Sequence, residues 1–144
     1  MGRIMALDFG SKTVGVALTD PMKTICSPEE TIVRDREGKM RQTMRRITDL
    51  VCEKDVEKIV VGLPLHMDGS ESERSEKSRK FAEDLRYRLL QEGLNVPVEM
   101  CDERLTTVSA DEILSETGVA KEDRKTYIDS VAASLILEDY VSKL

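Results

Sequence analysis

The chain has 144 residues, 40% of them hydrophobic and 35% charged, the size of one ordinary domain with enough apolar residues for a core. A formal net charge of −6 excludes a protein that coats nucleic acid non-specifically, because that needs clustered Lys and Arg; it still allows a local basic patch. Cys26, Cys52 and Cys101 lack Cys-x-x-Cys spacing and read as reduced thiols, no leader precedes the first strand, and no apolar run approaches ~18 residues. A cytoplasmic protein without a membrane span is therefore expected.

The first twenty residues read as a hairpin. Arg3 to Gly10 and Val14 to Asp20 are apolar runs that flank the short turn Ser11-Lys12-Thr13. Both lack the polar alternation of half-wet strands, so both read as buried. Asp8 is the one charge at the end of the first run. A carboxylate at the rim of a buried strand is costly unless a metal, a donor cluster or a ligand meets it. Gly10 and Gly15 let backbone pass close to whatever sits there.

Asp20-Pro21 is a turn. Thr24 to Ser27 and Glu30 to Val33 form one interrupted strand, and Pro28 puts it at a sheet edge or in a bulge. Met40, Met44, Ile47 and Val51 recur at the steps of an amphipathic helix, with Arg41, Arg45 and Arg46 on its other faces. Lys58 to Leu63 is β-branched and apolar, the clearest strand in the chain, and a loop over Leu65 to Gly69 follows it. Ser70 and Glu73 stand at capping-box spacing for a long helix whose core stripe is Phe81, Leu85 and Leu89, with Gly93 placed to end it. Val96 to Cys101 is a short strand ending at Asp102-Glu103-Arg104. Val108 to Thr117 reads as a helix stopped by Gly118. Ala120 to Tyr127 reads as a polar loop. The last helix is expected to start near Ile128-Asp129 and to bury Val131, Ala132, Leu135, Ile136 and Val141.

Three antiparallel strands followed by helix-connected parallel strands make an α/β layered domain spanning 1–144, with helices on both faces of a mixed five-stranded sheet. In open α/β sheets, sites gather at the carboxyl ends of strands. Asp8, Asp68 and Asp102-Glu103 fall at such ends, and Asp129 begins the last helix. If Asp8, Glu103 and Asp129 converge, three carboxylates without a matching Lys repel one another. Hard divalent cations relieve that repulsion, and oxygen ligands suit Mg²⁺ or Mn²⁺. Two such ions about 4 Å apart can activate a water and stabilise the leaving oxygen in phosphodiester cleavage. Asp129 alone is equally well explained as a helix cap, whereas capping does not account for Asp8.

Four blocks make the sequence resemble the YqgF/RuvX family of Holliday-junction-resolvase-like proteins, regarded as nucleases that process the 5′ end of pre-16S rRNA. They are Ala6-Leu7-Asp8-Phe9-Gly10 with Val14-Gly15-Val16-Ala17; Ile59 to Leu65 with Met67-Asp68-Gly69; Asp102 to Thr107; and Ile128-Asp129-Ser130 with Ala132-Ala133 and Ile136-Leu137. The resemblance implies an RNase H-like fold, in agreement with the strand order, and metal-dependent phosphodiester hydrolysis. Asp8, Glu103 and Asp129 are then the catalytic acids and metal ligands, for two Mg²⁺ or Mn²⁺ ions. Resolvases of this fold carry an acid after the fourth strand, where this chain has Gly62-Leu63-Pro64; Asp102 and Asp68 are alternatives to Glu103 as the middle acid. Thr13 stands where a basic residue is usual, so Lys12 supplies that charge, and His66 stands where Asn is usual.

Lys12, His66, Asp68, Arg104 and Lys125 are the candidate substrate contacts. Three of these have an ordinary alternative: a solvated loop histidine for His66, neutralisation of nearby acids for Arg104, and, for Lys125 with its neighbours Lys121 and Arg124, a plain flexible loop. Arg74, Lys77, Arg79 and Lys80 either meet a nucleic-acid backbone or form a solvated face. The expected partners are nucleic acid, as pre-rRNA or branched DNA, and ribosomal subunit precursors, with the protein acting as a monomer or homodimer. A Holliday junction resolvase and a non-catalytic binder of structured RNA or branched DNA are the other readings. The Asp8-x-Gly10 hairpin also resembles the phosphate loop of actin-like ATPases, but those close two such domains over ATP, and 144 residues supply one.

Overall fold

The computed structural model describes residues 2–10, 12–34, 40–64, 70, 72–102 and 121–144, with the backbone alone over 121–129. Five strands lie in one sheet of order β3-β2-β1-β4-β5. They are β1 (Arg3–Phe9), β2 (Thr13–Thr19), β3 (Cys26–Val33), β4 (Val56–Leu63) and β5 (Val98–Asp102), and the helices are α1 (Arg41–Glu53), α2 (Glu73–Gln91) and α3 (Lys121–Ser142). β1, β2 and β3 are antiparallel neighbours, whereas β4 is parallel to β1 and β5 to β4. The sheet is mixed for a local reason. A three-residue turn suffices to reverse β1 into β2, and each parallel step needs a crossover, which α1 and α2 provide.

Side-chain alternation divides the core into two layers. Met5, Leu7, Val14, Val16, Ile59 and Val61 face α1 and α2, where Met44, Ile47, Leu50, Phe81, Leu85 and Leu89 complete the larger cluster. Ile4, Ala6, Ala17 and Val60 face α3 and pack on Ala133, Ile136 and Leu137. Small side chains on both surfaces of this second layer let α3 lie close to the sheet, and Ser130 and Ser134 are buried there too. At the far end of α3, Lys58 donates to the Tyr140 hydroxyl at 2.9 Å, and Tyr140 donates to Glu99 at 2.7 Å.

β3 is an edge strand, and its pairing with β2 jumps from Val16–Glu30 to Ala17–Pro28, leaving Glu29 as the extra residue of a bulge. Both expectations for Pro28 therefore hold. Gly93 ends α2 at φ +73°, with its N–H on the Leu90 carbonyl and the Leu94 N–H on the Leu89 carbonyl, a Schellman pair.

Three expectations need correction. The cap of α2 is Ser72, not Ser70: Ser72 Oγ accepts from the Ser75 N–H, and Ser75 Oγ accepts from the Ser72 N–H. The same Ser72 hydroxyl donates to the Pro64 carbonyl at 2.6 Å, which ties the start of α2 to the end of β4. A serine can play both parts because its hydroxyl accepts and donates at once. Second, α3 begins at Lys121, so Lys121, Arg124 and Lys125 belong to a helix and not to a loop. No Gly or Pro interrupts 121–142, and the Lys-Glu-Asp-Arg-Lys start is rich in residues that tolerate a helix. Third, the buried face of α3 is Ala132, Ala133, Ile136 and Leu137, while Val131 and Leu135 are only partly buried. The expected helix Val108 to Thr117, its stop at Gly118, and the loop Leu65 to Gly69 lie outside the described residues.

Candidate nuclease site

Asp8 follows Ile4 and Ala6 in the alternation of β1, so its side chain rises on the α3 face of the sheet. It lies at the carboxyl end of the strand and is 4% exposed. Its partner on β2 is Gly15. On the other side, one step beyond the Leu7–Val61 pair, comes Gly62, and Gly62 in turn pairs with Cys101. Asp8 therefore has a glycine on each side in its own row. Neither neighbouring strand puts a side chain beside the carboxylate in this row.

The turn after Asp8 is compact. The Gly10 N–H donates to the Thr13 carbonyl at 2.7 Å, and a Cβ at position 10 would lie 3.1 Å from Thr13 Oγ1. Lys12 sits in this turn with an exposed side chain. Arg74, in the first turn of α2, reaches the Phe9 carbonyl at 3.5 Å, which brings one of the four basic residues of that helix to the end of β1. Lys77 pairs with Glu73 at 3.7 Å on the helix surface.

Arg34 escapes a reading of the sequence. It follows β3, is 4% exposed, donates from Nη2 to the Gly10 carbonyl at 2.7 Å, and lies over the Phe9 ring at 4.8 Å. Phe9 in turn stacks on Phe81 with 4.5 Å between centroids. In the sequence, Arg34 opens a polar stretch and looks like the start of a solvated loop; no periodicity marks it.

The remaining predicted residues divide plainly. Asp129 and Lys125 lie in α3, one and two turns before Ala133, where only the helix backbone is described. Asp102 closes β5 as an exposed residue, one step on from Cys101, which packs on the α3 side. Glu103, Arg104, His66 and Asp68 lie outside the described residues. Among the described residues, no three His, Cys, Asp or Glu side chains cluster as metal ligands, and Asp8 is the one expected ligand whose side chain is described. Two surface hollows, about 630 Å³ beside Arg41, Arg45 and Arg88 and about 510 Å³ beside Leu90 and Val96, do not include Asp8. Among the described residues, no helix is long and apolar enough to cross a membrane.

The sequence profile of RuvX, described as "Holliday junction resolvase", matches residues 2–143. A "Putative pre-16S rRNA nuclease" of Lachnospira eligens is 48% identical over 139 residues, covering 96% of each chain. One of the same name from Halothermothrix orenii is 40% identical, over 97% of this chain and 94% of its own. Among solved structures, the fowlpox virus Holliday junction resolvase superposes with a TM-score of 0.58 at 12% identity, covering 99% of both chains. RuvC of T. thermophilus, solved with a Holliday junction substrate, gives 0.53 at 10% identity over 99% of this chain and 96% of its own. At such identities these structures speak for the fold, which is RNase H-like.

Proposed function

Because the chain belongs to the RuvX family, we propose that it is a metal-dependent nuclease that cleaves phosphodiester bonds in structured RNA, at the 5′ end of pre-16S rRNA, acting in the cytoplasm on ribosomal subunit precursors. The single nuclease domain is the whole chain, 1–144. The observation that carries this reading is Asp8: a buried carboxylate at the carboxyl end of the central strand, flanked in its row by two glycines. An oxygen donor of this kind suits a hard divalent ion. Asp8, Glu103 and Asp129 would hold two Mg²⁺ or Mn²⁺ ions, which when bound would supply water activation and charge stabilisation at the phosphate.

Glu103 and Asp129 complete the acid set in this reading. On β5, Met100 packs with the α1–α2 layer and Cys101 with the α3 layer. Neighbouring residues of a strand point to opposite sides, so a strand that ran on past Asp102 would give Glu103, and not Asp102, the side of Asp8; that is the reason for taking Glu103 as the middle acid. On α3, Asp129 precedes Ala133, Ile136 and Tyr140 by four, seven and eleven positions, the spacing of one helix face. Tyr140 lies beside Lys58, the partner of Ile4. Eleven helical residues rise about 16 Å, and the four strand steps from Ile4 to Asp8 rise about 13 Å, so the two elements arrive at a similar height. Lys12, Arg104 and Lys125 then hold the phosphates of the substrate, with His66 and Asp68 as further substrate contacts.

The profile's own description favours a second reading, cleavage of four-way DNA junctions. The test is a side-by-side assay with Mn²⁺ of an RNA carrying the 5′ flank of 16S rRNA and of a synthetic four-way junction. Preferential cutting of the RNA is expected. Preferential cutting of the junction would transfer the assignment to resolution. Binding of either in chelator, with no cleavage in any divalent metal, would make the protein a binding module.

A further inference from the structure

We infer that Arg34 is a positioning residue for the turn that follows Asp8, fixing its backbone so that Lys12 is presented to a phosphate of the bound strand. The effect on turnover rests on the nuclease reading above; the effect on the turn rests on contacts alone.

Arg34 grips the turn at two carbonyls. Its backbone N–H donates to Lys12 at 2.7 Å, and its guanidinium Nη2 donates to Gly10 at 2.7 Å. The guanidinium also covers the ring of Phe9, the residue next to Asp8, and Phe81 supports that ring from α2. One side chain thus joins the end of β3, the β1–β2 turn and the core under the site. Arg34 as a whole is 4% exposed. Burying a cation is a poor way to gain stability, since an apolar side chain of similar volume often does as well or better. A planar fork adds direction: its donors leave at fixed angles and hold a carbonyl in one place. The residue so held between the two gripped carbonyls includes Lys12, whose exposed ammonium is otherwise on a long and freely rotating stem. Fixing the backbone beneath such a chain limits the entropy lost when it meets a phosphate.

The test compares wild type with Arg34→Met, Arg34→Lys and Lys12→Gln, alone and combined. Four quantities are read: thermal midpoint, exchange of the Gly10 amide, affinity for a structured RNA in chelator, and Mn²⁺-dependent kcat and KM. The expected Arg34→Met protein keeps a near-native thermal midpoint and slow exchange in the core, while Gly10 exchanges faster. Its RNA affinity falls about ten-fold, the size of one charge-assisted contact. Lys12→Gln should then add little to Arg34→Met, because the contact is already lost. Arg34→Lys, which keeps the cation over Phe9 without the fork, should restore part of the affinity. Unchanged Gly10 exchange and RNA affinity in folded Arg34→Met would overturn the inference, as would full additivity with Lys12→Gln. Should Arg34→Met fail to fold, Arg34→Lys carries the same comparison, and wild-type values there overturn the inference equally. Absence of cleavage by wild type counts against the nuclease reading and leaves the exchange and affinity arms to decide on Arg34.

Discussion

Position along a strand sets the chemistry of individual side chains here. Asp8 and Cys101 lie in the same row on the same face of the sheet, separated by Gly62. Burial pushes the Cys101 thiol up to about 11, and the Asp139 carboxylate adds to the rise. Burial also raises Cys26, helped by Glu138 and Asp20. Cys52 is exposed on α1. Because the thiolate is the nucleophile, a maleimide or haloacetamide pulse at pH 8 should label Cys52 first and Cys101 last. Mass spectrometry of the labelled peptides checks this; early labelling of Cys101 would contradict it. The same shift ties stability to pH. A free thiol titrates near 9.0 and the folded Cys101 near 11, so the folded state is the one that keeps the proton. Its contribution is complete below pH 9 and is lost as pH rises toward 11. Thermal midpoints should fall across that window, and Cys101→Ala should flatten the fall. Asp8 itself was legible, because a charge ending an apolar run between glycines is a visible exception. Arg34 was not, because its role depends on the end of β3 arriving under a turn more than twenty residues earlier.

Elements were legible where local chemistry and tertiary packing agree. The β1–β2 hairpin, the bulged edge at Pro28, the α1 stripe and the Gly93 stop all follow from short-range rules that the fold does not override. They failed where the local signal was degenerate. Residues 70–75 read Ser-Glu-Ser-Glu-Arg-Ser, so more than one serine has cap spacing, and the Pro64 carbonyl decides for Ser72. Residues 131–137 are apolar or small all round, so periodicity cannot choose the face that α3 buries; the small side chains of Ala6 and Ala17 choose it. These ends make two predictions. Ser72→Ala loses the cap and the tie to β4, and should cost about 1 kcal/mol. Gly93→Ala meets no atom within 4 Å, so its whole cost is the left-handed backbone at φ +73°. That cost should be about 1 kcal/mol, with Gly93→Asn costing less. Urea unfolding midpoints measure both; a neutral Gly93→Ala would refute the backbone argument.

At the scale of the whole molecule, Asp8 is the one buried carboxylate among the described residues, at the carboxyl end of the central strand and on the face of the sheet that α3 covers. With a net charge of −6, binding to nucleic acid has to come from local features more than from the average surface; in the proposed function these are the Lys12 turn and bound cations. Divalent ions should therefore act as stabilising ligands. Saturating Mn²⁺ at 100 times its dissociation constant would add about 2.7 kcal/mol, and the gain should vanish in Asp8→Asn, which preserves size and removes the charge. The succession of strands along the chain and the strand-end position of Asp8 were readable from the sequence, since both rest on patterns within single segments. The proposed acid set draws on three distant segments, whose convergence no local pattern requires. The most direct test is Mn²⁺-dependent cleavage of the pre-16S RNA by wild type and by Asp8→Asn, both verified as folded. Wild type should cut in Mn²⁺ and stop in chelator. Asp8→Asn should be at least about 100-fold slower, because even partners one shell out from a metal cost 10–100-fold; cleavage by Asp8→Asn at the wild-type rate would contradict the account.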